Sequence, residues 1–225
     1  MIRTDQPTTF GDKLIVALSS VDDGNMKYGI GDSDKKVDSN RKRFLDELGI
    51  AQDQMVIWGV SYETDSFLRY VKLRSGVKEL DIDGVATNLK NKAIFLLLGD
   101  CVGAVMYDPK KKVMMVSHLG RQSTEQYGAK YSVEFMKEAY GSEAKDIMIW
   151  LGPSPNKDSY PLWKFNNRSL QEVNIEHFVL AGVRRENIVA SDVDTITNKN
   201  YFSHSEFLKG DDSRGGRFAI VAMMR

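Results

Sequence analysis

The sequence predicts an α/β or α+β fold in a single domain spanning residues 1–225. Three observations carry this. Short apolar, β-prone runs recur along the whole chain. Stretches with helical periodicity alternate with them. No repeat, low-complexity tract or Pro/Ser-rich linker divides the chain, and 225 residues can enclose one substantial core.

The elements follow in chain order. "KLIVALSS" (13–20) reads as a buried strand. "VDSNRKRFLDELG" (37–49) reads as a helix with Val37, Phe44, Leu45 and Leu48 on one stripe. Asp38 or Ser39 would cap it, and Gly49 would stop it. "AIFLLLGD" (93–100) and "VMMVSH" (113–118) are strands, and "YDPKKKV" (107–113) is a turn with Pro109 and the lysines outside. "TEQYGAKYSVEFMKEAYG" (124–141) is a second helix, with Tyr127, Tyr131, Phe135 and Ala139 at i, i+4 spacing. "IMIWLG" (147–152) is a strand, "SLQEVNIEHFVLAGV" (169–183) a helix stopping near Gly182, and "RFAIVAMM" (217–224) the last strand. Cys101 and His118 would then sit at the open ends of the two strands of one hairpin.

Composition excludes several function classes. Lys plus Arg and Asp plus Glu each number 31, so the chain lacks the basic surface of a general nucleic-acid binder. No apolar run approaches the length of a membrane span. Leu14–Leu18 is too short for a signal peptide core, so the expected location is cytoplasmic. A single cysteine makes no internal disulfide.

The residue types suited to chemistry are few. Cys101 is either a small buried hydrophobe or a ligand or nucleophile, and His118 is either structural or its partner. His177 lies inside a helical stretch and reads as packing or surface. Asp100 caps a strand end or orients a ligand. Lys110, Lys111 and Lys112 read as a solvated turn. The segment Asp212–Arg217 is a loop or an anion cradle, with Gly215 and Gly216 letting backbone approach closely.

An ordered set of motifs then stands out: Gly99-Asp100-Cys101, Tyr107-Asp108-Pro109, His118-Leu119-Gly120-Arg121, Gly152-Pro153, Tyr201-Phe202-Ser203-His204 and Gly216-Arg217, preceded by Asn40-Arg41. Together they resemble the YfiH-type laccase-domain family, also called polyphenol oxidases, some of which are zinc-dependent purine nucleoside phosphorylases. The resemblance covers nearly the whole chain. It implies one domain of mixed sheet layers with flanking helices, related to the cytotoxic necrotizing factor fold.

It implies Cys101 and His118 as catalytic residues and metal ligands, and Arg41, Arg121, His204 and Arg217 as substrate-binding residues. The implied metal is zinc, held by a Q-V-H histidine, a cysteine and a histidine. That histidine is missing from "WGVSYETD" (58–65), and Ser61 stands in its approximate place. Zinc is then bound weakly or not at all, unless Glu63 or His204 completes the set. The family's H-A-G-W-R-G arginine is displaced here to Arg121, and Ser205 replaces the arginine after its F-S-Y/H segment.

The implied ligands are a purine nucleoside and phosphate, with neither nucleic acid nor membrane as partner, and a monomer or homodimer as the assembly. Three readings stay open: a divergent phosphorylase or deaminase-like enzyme, an inactive binding protein, and a metal-free Cys–His amide hydrolase. Copper oxidation is not expected, because it needs many histidines and the chain has three.

Overall fold

Alternation of side chains along the strands builds two packed sheets. The computed structural model describes residues 1, 3–60, 62–74 and 79–225, with the backbone alone for residues 3 and 79–81. The elements are β1 (Leu14–Leu18), α1 (Asp34–Glu47), β2 (Met55–Gly59), β3 (Tyr70–Lys72), β4 (Glu79–Asp81), β5 (Gly84–Thr87), β6 (Ala93–Leu98), β7 (Val102–Asp108), β8 (Val113–Leu119), α2 (Arg121–Glu125), α3 (Gly128–Tyr140), β9 (Met148–Leu151), α4 (Leu170–Leu180), β10 (Ile188–Ala190), α5 (His204–Leu208) and β11 (Phe218–Met224). One sheet has the order β1-β11-β6-β2-β4 and the other β10-β9-β7-β8-β5-β3. Both are mixed: β2 runs parallel to β6, whereas β11 is antiparallel to it.

Period-two burial assigns each side chain to a layer. On β6, Ile94, Leu96 and Leu98 face the second sheet, while Ala93 and Phe95 face α1. On β8, Met114 and Val116 face the first sheet, while Val113, Met115 and Leu119 pack under α3 and α4. The order of layers is therefore α1, five-stranded sheet, six-stranded sheet, then α3 and α4. Each large apolar side chain fully buried there contributes about 1.5–3 kcal/mol. Gly103 sets the spacing between sheets, since a Cβ there would stand 2.6 Å from Ile220 Cδ1 and 2.8 Å from Leu98 Cδ1.

The strands expected from 13–20, 93–100, 113–118, 147–152 and 217–224 are all present. Strands β2, β3, β4, β5 and β10 are not among those the sequence predicts; each is short. Helix α4 starts as its capping box dictates, with Glu172 N–H donating to Ser169 Oγ and Ser169 N–H to Glu172. Two expectations need correction. Helix α1 begins at Asp34 after Ser33, not at a cap on Asp38 or Ser39. The expected helix over 124–141 is broken at Tyr127, which takes φ 63°, and Gly128 packs where a Cβ would meet Ser123 O at 2.9 Å. The buried stripe of α3 is Ala129, Ser132, Val133 and Met136, whereas Tyr127 and Tyr131 are exposed. Among the described residues no helix is long and apolar enough to cross a membrane.

Candidate active site

The site lies where the space between the two sheets opens. β7 and β8 pair so that Gly103 is opposite His118 and Val102 opposite Leu119. Cys101 precedes β7 and Gly120 follows β8, so the hairpin brings the two together. His118 shares the inter-sheet side of β8 with Met114 and Val116 by the same alternation. A Cβ on Gly120 would stand 3.0 Å from Cys101 Sγ and 2.9 Å from His118 Cε1. Glycine at 120 therefore keeps thiol and imidazole side by side. The cavity there measures about 520 Å3 and is lined by Lys27, Tyr62, Asp100, Cys101, His118, Arg121, Tyr160, His204, Ser205 and Arg217, among others.

Thiol and imidazole are both uncharged at neutral pH. Burial pushes the Cys101 thiol up to about 11, helped by the Asp100 carboxylate; a hydrogen bond with Tyr62, Arg217 and Arg121 oppose this. Burial pushes His118 down to about 4, against the pull of Asp83. His118 Nδ1 is buried without a hydrogen-bond partner among the described residues.

Asp100 lines the cavity, but its carboxylate is engaged within the wall. Its backbone takes φ 81°. It accepts from Thr195 Oγ1 at 2.8 Å, Ser203 Oγ at 3.1 Å and Ser205 N–H at 2.7 Å. Ser203 Oγ in turn caps α5 by accepting from Glu206 N–H. Asp100 thus fixes the segment that carries His204. Buried Arg214 holds the same wall from behind, donating to the carbonyls of Tyr201, Ile196, Thr195 and Asn198.

The positive charge of the cavity has a specific scaffold. Asn25 Oδ1 accepts from the N–H groups of both Lys27 and Arg217, each at 2.9 Å. Asn25 Nδ2 donates to the carbonyls of Lys27 and Ile30. One buried amide therefore yokes the backbones that bear two cations. Burial lowers the pKa of Lys27, with Arg217 adding repulsion, and burial lowers that of Arg217. His204 is lowered by burial and then by Arg217. Among the described residues no carboxylate forms an ion pair with Lys27 or Arg217. Arg217 Nη1 donates to Gly216 O at 2.6 Å and Asp100 partly offsets its charge, but two cations brought to one cavity with no directly paired carboxylate favour an anion there.

The residues expected from sequence separate as follows. Cys101, His118, Arg121, His204 and Arg217 line one cavity. Arg41 does not. It is buried in α1, where Nε and Nη2 donate to Met26 O at 2.9 and 2.7 Å and the guanidinium lies 4.1 Å from the Tyr28 ring centre. Through Met26, Arg41 supports the loop that carries Lys27. Ser61 lies outside the described residues. Glu63 does not line the cavity. His177 stacks on Tyr127 at 4.4 Å between ring centres, which is packing. Sequence reasoning missed Asn25, Lys27, Tyr62 and Tyr160; a loop asparagine two residues before a lysine was the available signal, and it is common.

Among the described residues no three His, Cys, Asp or Glu side chains gather into a metal-holding group. Cys101 and His118 supply two donors, and His204, in the same cavity, does not join them. A catalytic zinc takes three protein ligands, so the described residues do not fit a resident one.

Residues 15–164 match the family described as multi-copper polyphenol oxidoreductase laccase. The chain is 33% identical over 99 residues to purine nucleoside phosphorylase LACC1 of Mus musculus, covering 43% of this chain and 23% of that protein. It is 30% identical over 93 residues to purine nucleoside phosphorylase CA_C1699 of Clostridium acetobutylicum, covering 41% of this chain and 38% of that protein. The match thus spans well under half the length of these relatives. A mycobacterial relative, purine nucleoside phosphorylase Rv2149c of Mycobacterium tuberculosis, aligns at 22% identity over 93% of this chain and 88% of its own length. Two solved structures share the fold. The hypothetical protein YfiH of Bacillus licheniformis superposes with a TM-score of 0.82 at 20% identity, over 94% of this chain and 93% of that one. YlmD of Geobacillus stearothermophilus gives 0.82 at 18% identity, over 97% and 94%.

Proposed function

The chain belongs to the multi-copper polyphenol oxidoreductase laccase family, and from that membership we propose that it binds a purine nucleoside and phosphate in the cavity around Cys101 and His118 and cleaves the glycosidic bond by phosphorolysis. The single observation that supports this best is the Lys27–Arg217 pair, whose backbones are yoked by Asn25 and which has no ion-paired carboxylate among the described residues. Hydrogen phosphate is the anion that such a pair suits, because a guanidinium fork matches its oxygens. The relatives' names supply the second ligand.

The reaction then balances without a further reagent. A phosphate oxygen forms the bond to C1′ of the ribose. The bond from C1′ to the purine nitrogen breaks, and its electron pair leaves with the base. The base takes the proton that hydrogen phosphate gives up. Lys27 and Arg217 hold the nucleophile and neutralise its charge, which also offsets the cost of bringing it out of water. Tyr62 and Tyr160 offer aromatic surface to the planar base on the cavity walls. His118 stays uncharged, so it adds no repulsion to the positive charge that develops on the sugar.

No step passes through a metal. The two-donor set does not fit a catalytic zinc. A copper cluster fits no better, since of three histidines His177 is committed to packing. The amide-hydrolase reading is disfavoured by the neutral thiol beside a neutral imidazole, because a thiol hydrolase works through the thiolate.

The test is release of free base from adenosine or inosine, with and without phosphate. The expected products are the purine and ribose 1-phosphate, formed only when phosphate is present. Nucleoside binding without any base release would leave a binding protein, and release without phosphate would make it a hydrolase.

A further inference from the structure

A second cavity, about 380 Å3, adjoins the first and shares two of its residues, Arg121 and Tyr160. The guanidinium of Arg121 lies 5.9 Å from the Tyr160 ring centre, so the two side chains form a saddle between the spaces. Arg121 is exposed and has no ion-paired carboxylate among the described residues, although Glu125 stands one turn away on the same short helix. Glu125 is taken by Lys164 at 3.3 Å. That pair ties α2 to the far wall and leaves Arg121 as the uncompensated cation between the cavities.

The far wall is held in shape. Leu162 is buried, and its N–H donates to Arg168 O while its carbonyl accepts from Asn167 N–H. This closes a loop that projects Trp163, whose side chain is 83% exposed, whereas Trp58 and Trp150 are buried. An indole so exposed on an anchored loop walls a cavity that is open to a ligand.

A nucleoside and phosphate in the first cavity leave this second space and its cation unused. We propose, on the footing of the phosphorolysis reading, that the purine ligand is a nucleotide: a nucleoside whose sugar carries a phosphate group that crosses the saddle and pairs with Arg121. The two anions then have separate cations, with inorganic phosphate on Lys27 and Arg217 and the sugar phosphate on Arg121. A guanidinium–phosphate contact makes charge-assisted hydrogen bonds, so removing it should change affinity by about tenfold or more.

The test is titration of adenosine, 5′-AMP and 3′-AMP into the full chain in saturating inorganic phosphate, with the accessibility of Trp163 to an aqueous quencher as a second readout. The expected result is that one nucleotide binds at least about tenfold more tightly than adenosine and shields the exposed indole. Arg121→Gln should abolish that preference, and Arg217→Gln should retain it. Nucleotides binding no better than adenosine would overturn the proposal while leaving nucleoside phosphorolysis standing. A preference lost in Arg217→Gln and kept in Arg121→Gln would also overturn it, since the sugar phosphate would then occupy the inorganic phosphate's place. Failure of all three ligands to bind would overturn the phosphorolysis reading and this proposal together. Arg121 is a surface residue, so melting temperature serves as the check that the variant is folded.

Discussion

His118 is a buried imidazole whose charge the fold resists, and its pH behaviour follows from that. Its pKa falls from 6.5 to about 4 on burial. Between those values the unfolded chain binds the proton and the folded chain does not. Stability is therefore complete above the unfolded value, falls as pH drops through this window, and levels off below it. The total is roughly 3 kcal/mol. Urea melts across that range should show a shallower slope in His118→Gln than in the wild type, where His177 and His204 add slopes of the same sign; equal slopes would contradict it. Cys101 gives a parallel prediction. With its thiol pushed up to about 11, alkylation at neutral pH should run slower than for a free cysteine and accelerate toward that value. Cys101 is the single thiol in the chain, so Cys101→Ser is the blank, and a free-thiol rate at pH 7 would contradict the assignment. At this scale the sequence exposed much of the site. Cysteine and histidine are rare here and declare themselves, and Arg121, His204 and Arg217 followed from the motif set. Arg41 did not, because an arginine in a helix reads the same whether it donates to a carbonyl or to a ligand. Asn25 and Lys27 were silent because their roles depend on Arg217, which is remote in sequence.

The strands and helices place these residues through contacts that tolerate little change. Gly120 lets thiol and imidazole lie side by side by having no side chain. Its backbone is extended, so Gly120→Ala introduces no strain of its own. The new methyl group instead pushes Cys101 and His118 apart, costing about 1–3 kcal/mol of stability and up to about a hundredfold in turnover. Melting curves and base release read both effects, and a fully active alanine variant would contradict the packing. Asp100, just before β7, accepts two hydrogen bonds from the start of α5 and a third from Thr195 in the preceding loop. Asp100→Ala leaves those donors unmatched and should cost about 2–4 kcal/mol. Hydrogen exchange should show the amides of residues 203–208 losing protection first. Elements with strong contrast were legible: the longer buried strands, and α4 with its capping box. The short strands β3, β4 and β10 were not, since three residues carry no period. The break at Tyr127 escaped because a left-handed residue followed by glycine looks, in sequence, like a helix with one weak position.

At the scale of the molecule, two sheets and two helical layers form a sandwich whose inner layer is apolar and opens at one end. Strands β2 and β6 end there, β7 and β11 begin there and β8 ends there, so five strand termini deliver the site from distant parts of the sequence. Mixed strand and helix signals foretold the class of fold. They could not foretell the layering, because pairing of β11 with both β1 and β6 is a contact between the two ends and the middle of the chain. The three apolar clusters lie between layers, and the cations sit at the rim. The most direct measurement is the saturation of base release by phosphate, in the wild type and in Arg217→Gln. Phosphate-dependent release is expected in the wild type. In the variant the KM for phosphate should rise by about tenfold or more, with the KM for nucleoside little changed. A wild-type chain that releases no base, or a variant that saturates with phosphate as the wild type does, would contradict it.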